Sequence, residues 1–590
     1  MKSPCSAVLL LGLLAASAGS LVAQQRQQQA GRAAQRPAPL VRADGVIDWN
    51  RYYNTTETHA ILRELARRFP KLTQLYSIGK SFKGVDLMVI EVTNEDTGPA
   101  SEKPALYLDG GIHAGELTGS AVALYMASHL IQNYGKDPRI TQLLDTRAFY
   151  IRPKFNPDGA DIALAEDAQL RSTVRPWDDD GDGVADEDGP DDLNRDGRIT
   201  QMRVPDRNGD WKLHPADPRL LVRRSPDDTT GRFYFVTTEG IDNDRDGRFN
   251  EDGIGGIDMN RNFPRHWERE HIQQGAGPFP LSEPETYATV KFITERPNIA
   301  SIVHGHTSGG FVYRLPSSSD PATFDARDLA VIEELGRFYT ETTGRPVRPS
   351  ATHATDHRYG TLIGWAYEDR GIIGWVPEYV PHYGWIPDAD GDSIVSELEA
   401  IRFNDETLGG RYFTPWTRYA HPQLGEVEVG GWYTRFWGQN PPAEHLAAEC
   451  SVQVPWILSL LEKAPLLEVA PRVSGAAGGR VRIDITVTNR GWLPTNLTQR
   501  GATGRTDANG VVTAQVVAPP VATVQVTGGE LVSPAQMVVG HLAGTGVPDS
   551  GEPSRTVTFI VRKTAAELKV TVRVLGGPAG NATTGEIVYR

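Results

Sequence analysis

The sequence predicts an α/β fold, in which a mixed, mostly parallel sheet is flanked by helices, followed by a C-terminal all-β sandwich domain. Two observations support this prediction. Short apolar runs alternate with segments of helical spacing from Thr56 to about Lys463, as successive β-α units require. After Pro465, Val, Thr and Gly dominate, and apolar residues alternate with polar ones between Gly-rich turns, which is typical of a β-sandwich.

The elements of the first part follow from their periodicity. Apolar residues at helical spacing predict helices over about residues 56–69, 120–134, 283–294, 325–343 and 444–463. Compact apolar runs predict two strands around Gly84 within residues 72–92, and further strands at 105–108, 148–152, 299–303 and 372–376. The composition of Asn156-Pro157-Asp158-Gly159 predicts a turn. The alternation stops between Pro176 and Gly256, a segment rich in Asp and Gly, which we interpret as an insertion.

Size and composition limit the class of protein. A chain of 590 residues is too long for one ordinary core, so two or more domains are expected. The hydrophobic fraction of 39% and the charged fraction of 23% are those of a soluble globular protein. The formal net charge is −14 and no basic stripe balances it, so we do not expect a nucleic-acid partner.

The N-terminus predicts export. Lys2 precedes an apolar run from Ala7 to Leu14 and then small residues, so residues 1–23 are predicted to be a signal peptide, with cleavage after Ala23 or Ala18. This run is too short to span a bilayer and no other stretch is long enough, so we expect no transmembrane segment and a secreted or periplasmic location. We therefore predict a linker at 24–45, a main domain at 46–464 that carries the insertion 176–256, and a β-sandwich domain at 465–590.

The most informative motif follows the apolar run at Ala105. His113 and Glu116 lie three residues apart, just past the end of the predicted strand, and can turn toward one point. Imidazole nitrogen and carboxylate oxygen are good zinc ligands, and a catalytic zinc usually takes three protein ligands and leaves one position for water. The pair therefore predicts a third ligand elsewhere in the chain.

Two histidines can complete the set. His304 and His306 follow the strand predicted at Ile299, at the end of a strand where sites in open α/β sheets are found. Spacing alone does not distinguish them, and the histidine that does not bind the metal can support its neighbour.

Other residues can supply the remaining chemistry. Glu378 ends an apolar run, where a partly desolvated carboxylate can act as a general base. Asn260 and Arg261 offer an amide donor and a guanidinium fork for a carboxylate. Arg171 or Arg175 can stabilise an oxyanion.

Five elements follow one another along the chain: His113-x-x-Glu116, Asn156-Pro157-Asp158-Gly159, Asp258-x-Asn260-Arg261-Asn262, His306-Thr307 and Glu378. Taken in this order, they resemble the motifs of the zinc carboxypeptidase family of the carboxypeptidase A type. The resemblance covers roughly residues 49–463. It implies a carboxypeptidase-like α/β domain, one zinc, and removal of C-terminal residues from a peptide or protein substrate. It favours His306 over His304 and Arg171 over Arg175, and it implies that Glu378 is the general base and that Asn260 and Arg261 bind the terminal carboxylate.

One departure keeps other functions open. The best-known members of the family carry an Arg two residues after the first ligand, where this sequence has Gly115. The first alternative is a related zinc amidohydrolase that acts on cell-wall peptides or another amide. The second is a non-catalytic surface-binding protein on the same fold. For the C-terminal domain, contact with partners, carbohydrate binding and a purely capping role all stay open, because its sequence carries no recognisable site.

The insertion contains a repeated pattern of alternate oxygen ligands with Gly at the sixth place. This pattern is typical of tight loops around Ca²⁺, although none of these loops has a convincing Glu at the twelfth position. The alternative is a solvated acidic segment. The predicted calcium ligands are Asp178, Asp180, Asp182, Asp192, Asn194, Asp196, Asp242, Asp244 and Asp246.

Overall fold

The computed structural model describes Val41 and residues 47–165, 170–317, 321–352, 358–506, 512–514, 516–547 and 550–590. The chain divides into two units, residues 1–48 and 49–590. In the first unit Val41 and Ile47 form an isolated antiparallel bridge. The predicted signal peptide and nearly all of the predicted linker lie outside the described residues. Within the described part of the chain, no helix is long and apolar enough to cross a membrane.

In the described part of the second unit, all α-helices but one end before residue 463. They are α1 (Thr55–Arg68), α2 (Leu117–Asn133), α3 (Pro138–Thr146), α4 (Pro157–Ala165), α5 (Pro284–Thr294), α6 (Ala326–Thr343), α7 (Leu362–Arg370), α8 (Glu397–Glu406), α9 (Ala443–Glu462) and α10 (Gln499–Thr503). Short 3₁₀ turns lie at Glu95–Thr97, Ala100–Glu102, Met259–Arg261, Pro321–Thr323, Thr434–Phe436 and Gly577–Ala579.

The main sheet has eight strands. These are β1 (Thr73–Lys80), β2 (Asp86–Val92), β3 (Ala105–Gly110), β4 (Ala148–Arg152), β9 (Ile299–Gly305), β10 (Phe311–Arg314), β11 (Val347–Pro349) and β12 (Ile373–Glu378), in the spatial order β1-β2-β4-β3-β9-β12-β10-β11. The four central strands, β4, β3, β9 and β12, are parallel. Every residue of β3 and β9 is buried, as expected where helices cover both faces of a parallel sheet.

A second sheet of six antiparallel strands was not predicted. The insertion contributes β5 (Gln201–Pro205), β6 (Trp211–Leu213), β7 (Leu221–Arg223) and β8 (Tyr234–Thr238), and a distant hairpin contributes β13 (Phe413–His421) and β14 (Gly425–Trp432). The order is β13-β14-β5-β8-β6-β7. The insertion is therefore not only a set of loops, because β5 pairs with β14 across more than 200 residues of sequence.

The C-terminal part forms two antiparallel sheets. One sheet contains β15 (Leu467–Ala476), β16 (Arg480–Asn489), β22 (Ser554–Lys563) and β20 (Gly529–Leu531). The other contains β21 (Gln536–Val538), β19 (Val521–Thr527), β23 (Leu568–Leu575), β24 (Asn581–Thr583) and β25 (Ile587–Tyr589). The short strands β17 (Arg505–Thr506) and β18 (Val512–Ala514) pair with each other. Residues of both large sheets share one apolar core, so the predicted fold class is confirmed.

The predicted turn at residues 156–159 is wrong, because these residues begin helix α4. The side chain of Asn156 accepts a hydrogen bond from the backbone N–H of Gly159 at 2.9 Å, as a helix N-cap does. Pro157 then occupies the first helical position, where its missing N–H has no cost. The same composition that favours turns thus starts a helix here.

Candidate metal centre

Two close backbone approaches place the first two predicted ligands. After β3 the chain turns at Gly111, whose φ is +75°, and passes against the first turn of α2. A Cβ added at Gly110 would lie 2.1 Å from the backbone of Gly119, and one at Gly111 would lie 2.5 Å from the hydroxyl of Ser120. Only glycine fits at these two positions. The turn carries His113 and Glu116 to the ends of the parallel strands.

His113, Glu116 and His306 form a compact buried cluster. The Nδ1 atom of His113 lies 2.7 Å from one carboxylate oxygen of Glu116, and Nδ1 of His306 lies 2.8 Å from the other. The two Nδ1 atoms are 3.1 Å apart. With metal–ligand bonds of 2.0–2.1 Å, the edges of a tetrahedral zinc site are about 3.3 Å. The donor set therefore fits one zinc ion.

The electrostatics of the cluster also suit a cation. Burial opposes the ionisation of Glu116, but His113 and His306 outweigh it and hold the pKa of this carboxyl well below its usual value. Burial lowers the pKa of His306 to about 3, so its imidazole is neutral, as a metal ligand must be. Glu116 is therefore an ionised carboxylate and His306 a neutral imidazole, whereas the carboxylates of Glu116 and Asp258 outweigh burial and raise the pKa of His113, which would release a proton on binding a metal.

Asp258 supports the cluster from behind. One of its oxygens lies 3.1 Å from Nε2 of His113, on the ring edge away from Glu116. The other oxygen accepts hydrogen bonds from Arg171, at 2.8 and 3.0 Å. A carboxylate on the far nitrogen of a ligating histidine fixes its tautomer and ring orientation. Asp258 begins the Asp-x-Asn-Arg-Asn motif, but nothing in the local sequence indicated this orienting role.

The structure separates the two candidate third ligands. His306 joins the cluster, whereas Nδ1 of His304 lies 2.6 Å from the carboxylate of Asp109 on the neighbouring strand. His304 and Asp109 are completely buried. The ring of His304 meets the ring of His306 edge-on, with centroids 4.5 Å apart, and so supports the orientation of the ligand.

Glu378 lies at the end of β12, beside the strand that carries His306. The backbone N–H of His306 donates to the carbonyl of Pro377 at 2.9 Å, and the N–H of Tyr379 donates to the carbonyl of His306 at 3.1 Å. These two bonds fix the predicted base relative to the predicted ligand. Burial, together with the charge of Glu116, raises the pKa of Glu378 to about 8. A raised pKa suits a group that must take up and release a proton near neutral pH.

The two candidate oxyanion residues also separate. Arg171 reaches the cluster, with its guanidinium 3.7 Å from Glu116 and half of its side chain exposed. Arg175 instead pairs with Glu283 at 3.1 Å and lies over the ring of Phe82.

The predicted carboxylate-binding pair lies beside the ligands. The amide of Asn260 is 3.4 Å from Nε2 of His306 and accepts a hydrogen bond from the N–H of Leu362. Arg261 donates to the carbonyl of Asn260. Among the described residues, no carboxylate lies within ion-pair distance of Arg261. Its charge helps to lower the pKa of the nearby Asp258, and the residue also lines the adjacent cavity.

A cavity of about 810 Å³ opens beside the cluster. One wall carries Arg171, Asp258 and Arg261. The insertion supplies a large part of the lining, and Gln273, Gln274 and Gly275 also contribute. The insertion residues that line it include Asp179, Pro190, Ile199, Thr238, Asn250 and Ile254. The insertion therefore shapes a cavity that adjoins the cluster through Arg171 and Asp258.

The acidic loops of the insertion share one local geometry. The backbone N–H at each sixth position donates to the carboxylate at the first, from Gly183 to Asp178, from Gly197 to Asp192 and from Gly247 to Asp242. The first and third loops lie side by side. Their carboxylates form close groups that include Asp180 with Asp244, Asp246 and Glu251, and Asp188 with Asp242 and Asp244. Burial and the neighbouring Asp188 raise the pKa of Glu251 to about 7.

A fourth loop of the same kind was missed in the sequence. Asp388, Asp390 and Asp392 alternate as in the other loops, and the N–H of Ser393 donates to the carboxylate of Asp388 at 2.7 Å. Ser393 stands where the other loops have Gly and has a φ of +71°. Glu399 occupies the twelfth position. The missing Gly concealed the pattern.

The sheet and the donor set define an α/β protein with a zinc site. Residues 58–214 and 223–390, more than half of the chain, match the family model described as zinc carboxypeptidase, and the chain belongs to this family. Residues 468–585 match a model described as a domain of unknown function.

The similar proteins cover only part of the chain. Carboxypeptidase Z of Mus musculus is 38% identical over 109 residues, which are 18% of this chain and 17% of that protein. Carboxypeptidase E of Caenorhabditis elegans is 33% identical over 125 residues, 21% of this chain and 26% of that protein. The chain thus aligns with about a quarter or less of the length of these relatives.

Two solved structures are similar to part of this chain at low identity. The crystal structure of thrombin activatable fibrinolysis inhibitor is 16% identical, with a TM-score of 0.44, over 72% of this chain and 76% of that chain. Murein-tripeptide amidase from Escherichia coli O157 is 15% identical, with a TM-score of 0.24, over 52% of this chain and 83% of that chain.

Proposed function

We propose that this protein is a secreted zinc-dependent carboxypeptidase that hydrolyses C-terminal peptide bonds. The observation that carries the proposal is the convergence of His113, Glu116 and His306 at one point, with Glu378 tied to His306 through the backbone. Zinc held by these three ligands would supply a polarised, acidified water.

The other residues then have defined roles. Glu378 accepts the proton of the attacking water and passes it to the leaving amine, which its raised pKa favours. Arg171 stabilises the negative charge that develops on the carbonyl oxygen of the substrate. Asn260 and Arg261 hold the terminal carboxylate, and the cavity beside them receives the peptide.

Replacing Glu378 by Gln tests the proposal. We expect the variant to retain one zinc per chain and to lose about 10²–10⁴-fold in kcat on peptides, because the amide cannot accept the proton. The matched control is Glu91→Gln, another buried glutamate, which lies on β2 and has a pKa raised by burial to about 7. The control should keep full activity. Unchanged hydrolysis by Glu378→Gln, with zinc bound, would contradict the assignment of the base.

Gly115 supports a second candidate, a zinc amidohydrolase that does not require a free C-terminus. A Cβ at this position would lie 2.9 Å from the side-chain oxygen of Gln439 and 3.2 Å from the carbonyl of Leu170. Tight packing therefore occupies the place where better-known family members carry a carboxylate-binding Arg. Hydrolysis of one peptide in its free-acid and C-terminally amidated forms separates the candidates: a carboxypeptidase cleaves only the free acid, and an amidohydrolase cleaves both at similar rates.

The proposal also covers calcium binding, export and a third candidate function. The acidic loops, with their crowded carboxylates, are proposed to bind Ca²⁺, which would neutralise a segment that has few apolar residues to stabilise it. The N-terminal pattern supports export after cleavage at Ala23 or Ala18, which mass spectrometry of the exported protein would detect. The third candidate, a non-catalytic binding protein, predicts that the wild-type protein binds zinc and hydrolyses neither form of the peptide.

A further inference from the structure

A second cavity, of about 190 Å³, lies on the six-stranded sheet and shares no lining residue with the cavity at the zinc cluster. Strands from the insertion and from the β13–β14 hairpin surround it. Its lining includes Trp211, Trp416 and Trp432 together with Gln201, Arg219 and Glu397. Three indole rings and three planar polar groups thus meet in one small space.

Two of the three indole rings are fixed by their own N–H groups, and the third is covered by a guanidinium. The N–H of Trp416 donates to the carbonyl of Arg219 at 2.7 Å, and the N–H of Trp432 donates to the carboxylate of Glu397 at 2.8 Å. The guanidinium of Arg223 covers the ring of Trp211 at 4.3 Å. One face of each of these two rings is already covered, that of Trp416 by the guanidinium of Arg203 at 4.4 Å and that of Trp432 by the stacked ring of Trp437 at 4.5 Å. Since the indole N–H groups are satisfied, what Trp416 and Trp432 offer the cavity is the apolar surface that remains.

The polar groups in the cavity differ in whether they already have hydrogen-bond or ion-pair partners. The amide of Gln201 has no hydrogen-bond partner within the described part of the chain. Arg219 is held by Asp217 and Asp405, and Glu397 accepts a hydrogen bond from Tyr383, so their planes are fixed. A Cβ at Gly431 would lie 3.1 Å from the oxygen of Gln201, so this glycine keeps the amide accessible.

We propose that this cavity binds one pyranose ring of a carbohydrate. A pyranose has apolar C–H faces that can stack on indole rings and equatorial hydroxyls that pair with planar amide, guanidinium and carboxylate groups. A purely apolar ligand would leave the amide of Gln201 desolvated and unpaired. An anionic ligand would meet the carboxylate of Glu397. The volume, below the range of pockets for drug-sized ligands, suits a single ring.

The test is a titration of the full-length protein with glucose, galactose, mannose and N-acetylglucosamine, one sugar at a time. Binding is measured by tryptophan fluorescence and by calorimetry. At least one sugar should give a saturable signal with a Kd in the millimolar range or below. Gln201→Ala and Trp211→Ala should each weaken this binding about two- to tenfold. The matched control is Trp49→Phe, which keeps an aromatic ring beside Tyr125 and should bind the sugar like the wild type.

Two results would overturn the proposal: no saturable binding of any of the four sugars, or a Kd that neither Gln201→Ala nor Trp211→Ala changes. Circular dichroism of both variants monitors folding, because this measurement does not depend on the proposed peptidase activity. If Trp211→Ala unfolds, Gln201→Ala decides the question, since Gln201 makes no side-chain hydrogen bond to the described residues. Sugar binding without peptidase activity would leave this proposal intact and contradict only the proposed function.

Discussion

Asp258 allows a sharp test of how the metal centre is built. Asp258→Asn keeps the shape of the side chain but replaces one carboxylate oxygen by an amide N–H₂ group. In the wild type one oxygen lies 3.1 Å from Nε2 of His113 and the other binds Arg171. The neutral amide of the variant no longer presents a carboxylate oxygen to both His113 and Arg171. We therefore expect His113 to lose part of its orientation and basicity as a ligand.

Loss of a carboxylate that orients a ligating histidine typically weakens metal affinity 10–100-fold. This corresponds to about 1.4–2.7 kcal/mol of zinc-binding free energy. The assay is competition for zinc between the metal-free protein and a chromogenic chelator. The control is Glu283→Gln, which breaks the comparable pair of Arg175 and Glu283 away from the cluster and should not change the zinc Kd. A Kd for Asp258→Asn within twofold of the wild type would refute the orienting role.

Two further predictions concern stability. Burial raises the pKa of Glu285 from its ordinary value of 4.5 to about 7. The unfolded state therefore loses this proton first, and the free energy of unfolding falls as the pH rises from about 4.5 to 7. Glu285→Gln should therefore be more stable than the wild type at pH 8, by on the order of 1–3 kcal/mol, and no more stable at pH 4, as urea unfolding at both pH values would show. Equal effects at both pH values would exclude this linkage. Removal of Ca²⁺ with EGTA should lower the Tm, and calcium but not magnesium should restore it, because a ligand that binds the folded state stabilises it. A Tm that does not respond to EGTA would exclude calcium in the acidic loops.

The sequence predicted those parts of the molecule that depend on local pattern. The central strands appear as uninterrupted apolar runs because both of their faces are buried, and His113 and Glu116 are recognisable because three residues and one turn bring them together. The helix at Pro157 was mistaken for a turn, since an Asn-Pro pair begins both structures and only the following backbone hydrogen bonds distinguish them.

The features that the sequence did not predict depend on contacts between residues far apart in the chain. Arg171 and Arg175 are four residues apart, and only the positions of Asp258 and Glu283, more than 80 residues further on, show which one reaches the cluster. The strands of the insertion are three to five residues long, too short to show a clear alternation. One of them, β5, is stabilised by pairing with β14, which no local pattern could indicate.

The pairing of β5 with β14 has a consequence for protein engineering. The acidic segment resembles a surface insertion that could be cut out to obtain a smaller protein. However, β14 pairs with β13 on one side and with β5 on the other, so excision of residues 176–256 would strip one side of β14 of its backbone partner. Exposed strand edges of this kind recruit other chains. A shortened protein without this segment should therefore self-associate, unless the hairpin at residues 413–432 is removed with it.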